Sequence, residues 1–260
     1  MARCRNSAVG NQLRTLFHLG TTRELTDGQL LERFAAGGGE TAELAFAALL
    51  ERHGPMVMRV CRSTLMDSHD AQDAFQATFL VLVKKARGIW VRDSIGPWLH
   101  QVAYRTALCA RLAVGHRRRH EQGAAILRTE LQVERHDDLE SVLHEEIERL
   151  PERFRSPLIL CDLEGRSHEQ AARHLGWPVG TVKSRQARGR DRLRDRLRRR
   201  GVAPDAGVFV AALRPNAIPA LISSTLVDST AQAALQLVAH RVFAPGSAAS
   251  LAQGVLSSMN

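Results

Sequence analysis

The most informative segment of this chain is Ser167-His-Glu-Gln-Ala-Ala-Arg-His-Leu-Gly-Trp-Pro-Val-Gly-Thr-Val-Lys-Ser-Arg-Gln-Ala-Arg-Gly-Arg-Asp-Arg-Leu-Arg-Asp-Arg-Leu-Arg-Arg-Arg200. It predicts a short helix, a tight turn and a long basic helix. Ser167 followed by Gln170 is a capping-box pattern, which satisfies backbone N–H groups at a helix start. Gly176 can adopt the left-handed conformation that ends a helix, and Pro178 prevents that helix from continuing. This arrangement is typical of a helix-turn-helix DNA reader.

The second helix is expected to bury one stripe of its surface. Apolar or small residues recur there at near-helical spacing, namely Val182, Gly189, Leu193 and Leu197. The polar and basic residues near the helix start fall mostly off this stripe. They are the candidates for contact with nucleic acid: Thr181, Lys183, Ser184, Arg185 and Arg188.

The basic charge of the chain is concentrated in this one helix. The segment Lys183 to Arg200 holds ten basic and two acidic residues, a net charge of +8, whereas the whole chain carries +9. Such a concentration is the electrostatic footprint of a surface that binds phosphate. The alternative interpretation is a solvated, arginine-rich surface helix.

Composition favours a helical protein, and the length allows one large domain or two or three small ones. The chain has 260 residues, of which 44% are apolar and 5% aromatic, and Ala, Leu, Arg and Glu favour helix. It has no apolar run of 18 residues and no apolar segment of the secretory type, so we expect no membrane span and a cytoplasmic location. The four cysteines are far apart in sequence, so neither a zinc site nor a disulfide framework is expected. No cofactor is predicted.

The first half of the chain predicts a series of helices. Residues 1–24 lack a sustained period and are expected to form a loose arm. Helices are predicted from about residue 26, over 41–53 and over 56–65, with Gly54-Pro55 as an interruption. The strongest periodicity follows, over Asp67 to Lys85, where a continuous apolar stripe runs along one side.

The opposite side of that helix carries Asp70, Asp73, Gln76, Ala77 and Leu80. An apolar residue such as Leu80 on an otherwise polar side indicates contact with a partner or with a neighbouring helix. A further helix opens at Pro97 and runs to about Ala113, with Tyr104, Arg105 and Arg111 on or near its outer side. The preceding loop, residues 87–96, places aromatic residues beside this basic helix, where they could stack unpaired bases. The alternative is that Trp90 and Trp98 belong to a core.

The remaining segments are a linker and a C-terminal extension. Glu130 to Arg149 has a net charge of −6 and is expected to be solvated where it is not helical. Four prolines divide residues 201–260, in which Pro219 to His240 is the one amphipathic helix predicted. The extension is almost neutral, so we expect either a regulatory or partner-docking role or an inert packed tail.

Three separated motifs resemble the extracytoplasmic-function (ECF) sigma factors, and they occur in the family's order over roughly residues 25 to 200. The first is Asp70-Ala-Gln-Asp-Ala-Phe-Gln-Ala-Thr-Phe79. The second combines Pro97-Trp98-Leu99 with Ala103-Tyr-Arg-Thr106. The third combines Leu150-Pro151, Leu163-Glu-Gly-Arg-Ser167 and Pro178-Val-Gly-Thr-Val-Lys-Ser-Arg185.

The resemblance implies an all-α fold with two small helical domains. Residues 1–24 would be the arm, 25–115 sigma region 2, 116–139 the linker, 140–200 sigma region 4, and 201–260 an extension of unknown role. Region 2 would dock on the clamp helices of the RNA polymerase β′ subunit, melt the minus-ten promoter element and capture a flipped base. Region 4 would bind the β flap and read the minus-thirty-five element in the major groove. An anti-sigma factor or another regulator is a further implied partner.

The resemblance also assigns residues. Asp73, Gln76 and Leu80 would bind polymerase. Tyr104, Arg105, Thr106 and Arg111 would face the minus-ten element, with the loop 87–96 as the base pocket. Lys183, Ser184 and Arg188 would contact bases or phosphates, and Arg185 a phosphate. Three positions depart from the family pattern: Ala77 replaces an acid, Thr106 replaces an Asn, and Ala187 replaces a larger side chain.

Two other classes of function are less well supported by the sequence. A stand-alone helix-turn-helix regulator would need a dimer face and leaves the first domain unexplained. A DNA-acting enzyme could use Asp70 with Asp73, or His116 with His120, but the chain has no phosphate-binding glycine loop, zinc pattern or nucleophile elbow. The sequence therefore predicts a sigma factor that is not itself an enzyme.

Overall fold

A computed structural model describes residues 25–36, 39–86, 88–89, 94–121, 139–202, 205–214, 222–240, 242–243 and 245–259. Every regular element in these ranges is helical, as predicted, and none of the helices is long and apolar enough to cross a membrane. The predicted arm and most of the predicted linker lie outside the described residues. The elements are α1 (Asp27–Ala36), α2 (Glu40–Thr64), α3 (Ser68–Lys85), α4 (Gly96–Glu121), α5 (Leu139–Glu148), α6 (Glu152–Leu158) with the π-helical turn Ile159–Leu163, α7 (His168–Leu175), α8 (Val179–Arg199), α9 (Ala206–Leu213), α10 (Ser224–His240) and α11 (Ser247–Ser258).

Helices α1 to α4 form a first bundle around buried phenylalanine rings. The rings of Phe34 and Phe46 are stacked with their centroids 4.7 Å apart, and those of Phe75 and Phe79 are 5.0 Å apart. All four side chains are almost completely buried. Aromatic pairs at these separations stabilise a core beyond the area that they bury. The predicted apolar stripe of α3 is therefore the side that faces the bundle core.

Helix α2 continues through Gly54 and Pro55, so the predicted interruption is wrong. A proline inside a helix loses one hydrogen bond and typically costs about 3 kcal/mol. Here α2 is buried on both sides of the proline, which offsets that cost. Gly54 also permits close packing, because a Cβ atom there would lie 3.6 Å from the Phe75 ring and 2.8 Å from Ile222 Cδ1.

Helix α4 is longer than predicted. It begins at Gly96, ahead of Pro97, and continues to Glu121 rather than ending near Ala113. The first residues of the predicted linker are thus part of this helix.

The helix-turn-helix unit, α5 to α8, follows the prediction closely. The Gln170 N–H donates to Ser167 Oγ at 3.2 Å and the Ser167 N–H donates to Gln170 Oε1 at 2.9 Å, which completes the capping box. Gly176 has a φ of 65° and ends α7 in the left-handed conformation. Helix α8 starts directly after Pro178, and its predicted stripe is buried: Val182, Gly189, Leu193 and Leu197.

A buried ion cluster, formed by Asp27, His53 and Glu164, joins the first bundle to the helix-turn-helix unit. His53 Nε2 lies 2.7 Å from Asp27 Oδ2, and His53 Nδ1 lies 2.9 Å from Glu164 Oε1. Burial alone would lower the pKa of His53, but the two carboxylates raise it to about 9. The imidazolium therefore donates a hydrogen bond to each unit. Arg166 adds to the cluster through Glu164 Oε2 at 2.9 Å.

A second buried contact joins α4 to α5. His100 Nδ1 lies 2.6 Å from Glu148 Oε1, and His100 Nε2 lies 3.0 Å from His144 Nδ1. Burial, together with the charges of His100 and Arg59, holds the pKa of His144 well below its ordinary value. His144 is therefore neutral, and the two imidazole rings share a hydrogen bond between His100 Nε2 and His144 Nδ1.

Gly96 is small because Glu164 occupies the space beside it. A Cβ atom at Gly96 would lie 1.6 Å from Glu164 Oε1. We expect Gly96→Ala to lower the free energy of unfolding by about 1.5 kcal/mol, because the carboxylate must give up hydrogen bonds to His53 and Ser94. Gly115→Ala on the same helix meets nothing within 4 Å and should be neutral or stabilising by up to about 1 kcal/mol. Urea denaturation of both variants tests this, and equal effects would contradict the role of Gly96.

The C-terminal extension contains three helices in its described part, whereas the sequence predicted one. Helix α10 corresponds to the predicted helix, although it begins at Ser224 rather than Pro219. Helices α10 and α11 pack on α3, and α11 also packs on α4. Helix α9 lies beside α2 and α8, where Arg59 Nη1 donates to the Arg214 carbonyl at 2.7 Å and the Arg194 guanidinium covers the Phe209 ring at 4.9 Å.

Candidate nucleic-acid interface

The start of α8 presents a polar and basic surface. Lys183, Ser184 and Arg188 are exposed within its first three turns, and Thr181 is half-buried. These residues share one surface because the buried positions on the other side of α8 pack on α6 and α7. Helix α7 has a capped start, and α8 is anchored by its buried stripe. The exposed surface of α8 is therefore rigid enough to be inserted into a groove.

Arg185 is held in place by the turn of the helix-turn-helix unit. Its guanidinium carbon lies 4.1 Å from the centroid of the Trp177 ring. A guanidinium over an indole face is attracted by the ring quadrupole, and the stacking leaves its N–H edges available. The geometry suits the phosphate contact predicted for Arg185, since a pre-positioned side chain loses less entropy on binding.

A polar network beneath α8 was missed by the sequence reasoning. The amide of buried Gln186 donates to Asp162 Oδ1 at 2.8 Å, and its carbonyl oxygen lies 2.7 Å from His168 Nε2. Arg190 Nε donates to Asp162 Oδ2 at 3.1 Å. The network fixes α8 against the π-helical turn and α7. Its signal in the sequence was the position of Gln186 on the buried stripe, four residues after Val182.

On α4, the candidate residues differ in accessibility. Arg105 is exposed, and Tyr104 and Arg111 are half-buried. Burial raises the pKa of Tyr104 to about 12, so its hydroxyl stays protonated and able to donate a hydrogen bond.

Thr106, which the resemblance assigns to the minus-ten element, faces the interior of the bundle. Its side chain is completely buried, and its hydroxyl donates to the Val102 carbonyl at 2.8 Å. The reason is its spacing, since Thr106 follows Leu99 by seven residues and falls on the same inward stripe of α4.

The predicted base pocket is only partly described, because Arg87 and residues 90–93 lie outside the described residues. The end of this loop is tied to the helix-turn-helix unit, where the Ser94 N–H donates to His174 Nδ1 at 3.0 Å and Ser94 Oγ donates to Glu164 Oε2 at 3.0 Å. A cleft of about 640 Å³ lies beside it, with walls from both units that include Trp98 and Arg155. This cleft exists only while the two units are packed together.

The predicted polymerase-binding side of α3 is covered. Asp73 and Gln76 are half-buried, Leu80 is 5% exposed and Ala77 is completely buried. The sequence places them opposite the core stripe and leaves open whether Leu80 meets a partner or a neighbouring helix, and the burial of Leu80 agrees with the second alternative. The structure places the extension there, with Gln76 Nε2 donating to Ser229 Oγ at 2.9 Å and Ser247 Oγ donating to Asp73.

Within the described ranges, no group of three or more histidine, cysteine, aspartate or glutamate side chains is arranged to hold a metal ion. The acidic and histidine side chains that do meet, such as the buried ion cluster, are used for contacts between helices.

Two family models match the chain in order. The model for Sigma-70 region 2 matches residues 49–114, which run from α2 to α4. The model for Sigma-70 region 4 matches residues 141–193, which cover most of the helix-turn-helix unit. The described helices of the extension lie outside both matches.

Curated relatives extend this match over most of the chain. The ECF RNA polymerase sigma factor SigM of Mycobacterium tuberculosis is 33% identical over 177 residues, covering 67% of this chain and 86% of the relative. SigE of Mycolicibacterium smegmatis is 29% identical over 170 residues, covering 63% and 66%. Among solved structures, the sigma factor RpoE of Bartonella quintana, in complex with the anti-sigma factor NepR, matches at 23% identity with a TM-score of 0.29, covering 58% of this chain and 94% of that one.

Three observations indicate the same family. They are the order of the two matched regions, the capped helix-turn-helix unit, and the identity to SigM over most of the length of SigM. The chain belongs to the ECF family of RNA polymerase sigma factors.

Proposed function

We propose that this sigma factor directs RNA polymerase through two separate surfaces. The start of α8, with Lys183, Ser184 and Arg188, would read the minus-thirty-five element in the major groove while region 4 rests on the β flap. The side of α3 that carries Asp73, Gln76 and Leu80 would bind the β′ clamp helices. The observation that carries the proposal is the exposed, basic start of α8, whose opposite side is buried and which follows the capped helix α7.

The outer side of α4 would serve the minus-ten element. Arg105 is exposed and Tyr104 and Arg111 are partly so, which gives a cationic surface with one aromatic side chain for a melted strand. Sigma factors are non-catalytic initiation factors, and we infer the same for this chain, with the chemistry left to the polymerase in the cytoplasm. An anti-sigma factor or another regulator stays a prediction.

We call the arrangement in which region 2 and region 4 are packed together the closed form. It has to open before the minus-ten and minus-thirty-five elements can be read at the same time. By their names the elements lie about 25 base pairs apart, which is roughly 85 Å of duplex at 3.4 Å per base pair. A folded chain of 260 residues has a diameter of only about 50 Å. Because His53 and Glu164 hold region 2 and region 4 together at 2.9 Å, this contact must be released when promoter DNA is bound.

Runoff transcription with bacterial core polymerase on genomic fragments tests the proposal. We expect start sites that need the chain, and we expect Lys183→Ala to reduce them by about tenfold, because a lost contact in the recognition helix costs about 1–3 kcal/mol. Arg199→Ala is the matched control, since it removes the same charge from the exposed far end of α8, about 24 Å away. Equal losses in the two variants would indicate nonspecific charge rather than readout by the helix start. A chain that stimulates no transcription would overturn the proposal.

A further inference from the structure

We infer that the C-terminal extension inhibits this sigma factor by occupying its polymerase-binding surface. In this form α10 and α11 lie on the side of α3 that carries Asp73, Gln76 and Leu80, and polymerase can bind there only after they leave. The inference rests on the proposed role of that side of α3. It goes beyond that role because it names the segment of the chain that competes with polymerase.

The extension bonds to the same side chains that are proposed to bind polymerase. Gln76 Nε2 donates to Ser229 Oγ of α10 at 2.9 Å, and Ser247 Oγ at the start of α11 donates to the Asp73 carboxylate. These hydrogen bonds use part of the bonding capacity of the Gln76 amide and the Asp73 carboxylate. The helices of the extension also block the approach of polymerase to both side chains. The two contacts involve both helices, so α10 and α11 are docked as one surface.

The contacts run along the whole side of α3. Asp73, Ala77, Leu80 and Lys84 follow one another at helical spacing and therefore share one side. Ser247 contacts the first of them, and the Phe243 ring lies 5.0 Å from Lys84 Nζ at the other end. Ala77 and Leu80, between these ends, are buried. An apolar centre with a polar rim is the usual anatomy of a protein–protein interface.

The docked surface of the extension is built from small side chains, which suits reversible binding. Most of its buried residues are alanines, which remove less apolar area from water than leucine or phenylalanine would. They are Ala231, Ala234, Ala248, Ala249 and Ala252, accompanied by Leu226, Thr230, Leu237 and Val255.

The contact of the extension with α2 is also incomplete. Arg59 is 7% exposed and donates to the Arg214 carbonyl at 2.7 Å, yet its Nε and Nη2 atoms have no hydrogen-bond partner among the described residues. A buried donor without a partner favours the state in which water can reach it. Undocking of the extension would therefore restore hydration to this guanidinium.

Competition of this kind lowers the apparent affinity for polymerase by the fraction of molecules that are open. Variants that expel the extension should consequently bind core polymerase more tightly. Ala234→Arg with Ala252→Arg places two charged side chains at completely buried positions of α10 and α11. Gln236→Arg with Gln253→Arg adds the same charges at exposed positions of the same helices and is the matched control.

The test measures the affinity of the full chain for core polymerase by fluorescence anisotropy, together with runoff transcription. We expect the Ala234→Arg/Ala252→Arg variant to bind at least about tenfold more tightly than the wild type and to give more transcript, and the control variant to behave as the wild type. Equal or weaker binding by a variant whose helical circular dichroism is retained would overturn the inference.

Hydrogen exchange of the wild-type chain gives a second test that needs no substitution. In the free chain the amides of α10 and α11 should be protected. On addition of core polymerase they should exchange at least about tenfold faster, while those of α3 stay protected. Retained protection of α10 and α11 in the complex would overturn the inference even if the arginine variants failed to fold.

A third variant separates this inference from the proposed polymerase-binding side of α3. Asp73→Lys, added to the Ala234→Arg/Ala252→Arg variant, should weaken its binding to core polymerase. If Asp73→Lys weakens binding but the Ala234→Arg/Ala252→Arg variant alone binds core polymerase no more tightly than the wild type, the polymerase-binding role of α3 is retained and the inhibition by the extension is refuted. If Asp73→Lys has no effect on the affinity of the Ala234→Arg/Ala252→Arg variant, polymerase binds elsewhere. Both the role assigned to α3 and the inhibition by the extension are then refuted.

Discussion

Replacement of His53 by alanine is expected to lower the free energy of unfolding by about 3–5 kcal/mol. His53 is fully buried between Asp27 and Glu164, and burial of a carboxylate is tolerated only while its charge is compensated. Arg52 and Arg166 lie at the edge of the cluster and are partly exposed. They cannot fill the space that the imidazolium leaves. The substitution therefore leaves two carboxylates facing each other across a cavity.

Urea denaturation of the full chain measures this effect, with His69→Ala as the control. His69 is an exposed residue at the start of α3, and its contribution to the helix cap comes from its backbone N–H, which the substitution keeps. Its expected effect is within about 0.5 kcal/mol. Similar effects of the two substitutions would show that the cluster does not hold region 4 against region 2.

The stability of the closed form should fall by about 3 kcal/mol between pH 6 and pH 9. The carboxylates of Asp27 and Glu164 raise the pKa of His53 from 6.5 to about 9. A raised folded-state pKa stabilises the protein fully below the unfolded value near 6.5, and that stability is lost as the pH rises through 9. The cationic partners hold the pKa values of both carboxylates below the ordinary range, despite burial. Their contribution is present at neutral pH and is lost at acid pH.

Denaturation at a series of pH values tests the alkaline loss, and NMR titration of the His53 ring tests its origin. We expect the ring to titrate near pH 9. Burial also raises the pKa of the Cys61 thiol, which adds a loss of stability above about pH 9. The His53→Ala variant should keep that later loss and lack the earlier one. A ring that titrates near 6.5, or a stability that is flat from pH 6 to pH 8.5, would contradict the assigned charge state.

The candidate site was predictable to the extent that it depends on neighbouring residues. The exposed start of α8 follows from a local pattern, in which every fourth or third residue is apolar and the residues between them are polar. The same local spacing places Thr106 on the inward stripe of α4, where it is buried, whereas the resemblance assigns it to the minus-ten element. The sequence reasoning missed Gln186, whose polar side chain is buried only because Asp162 and His168 meet it there.

The helix-turn-helix unit could be derived from the sequence alone, because a capping box, a left-handed glycine and an apolar stripe act within one or two turns of the chain. Three other features follow from long-range packing: α2 passes through Pro55, His53 meets Glu164 at a separation of 111 residues, and the extension covers Leu80. Each of these depends on which distant helix supplies the compensating burial or charge. Local spacing shows which side of a helix is apolar, but the packing of the whole chain decides what covers it.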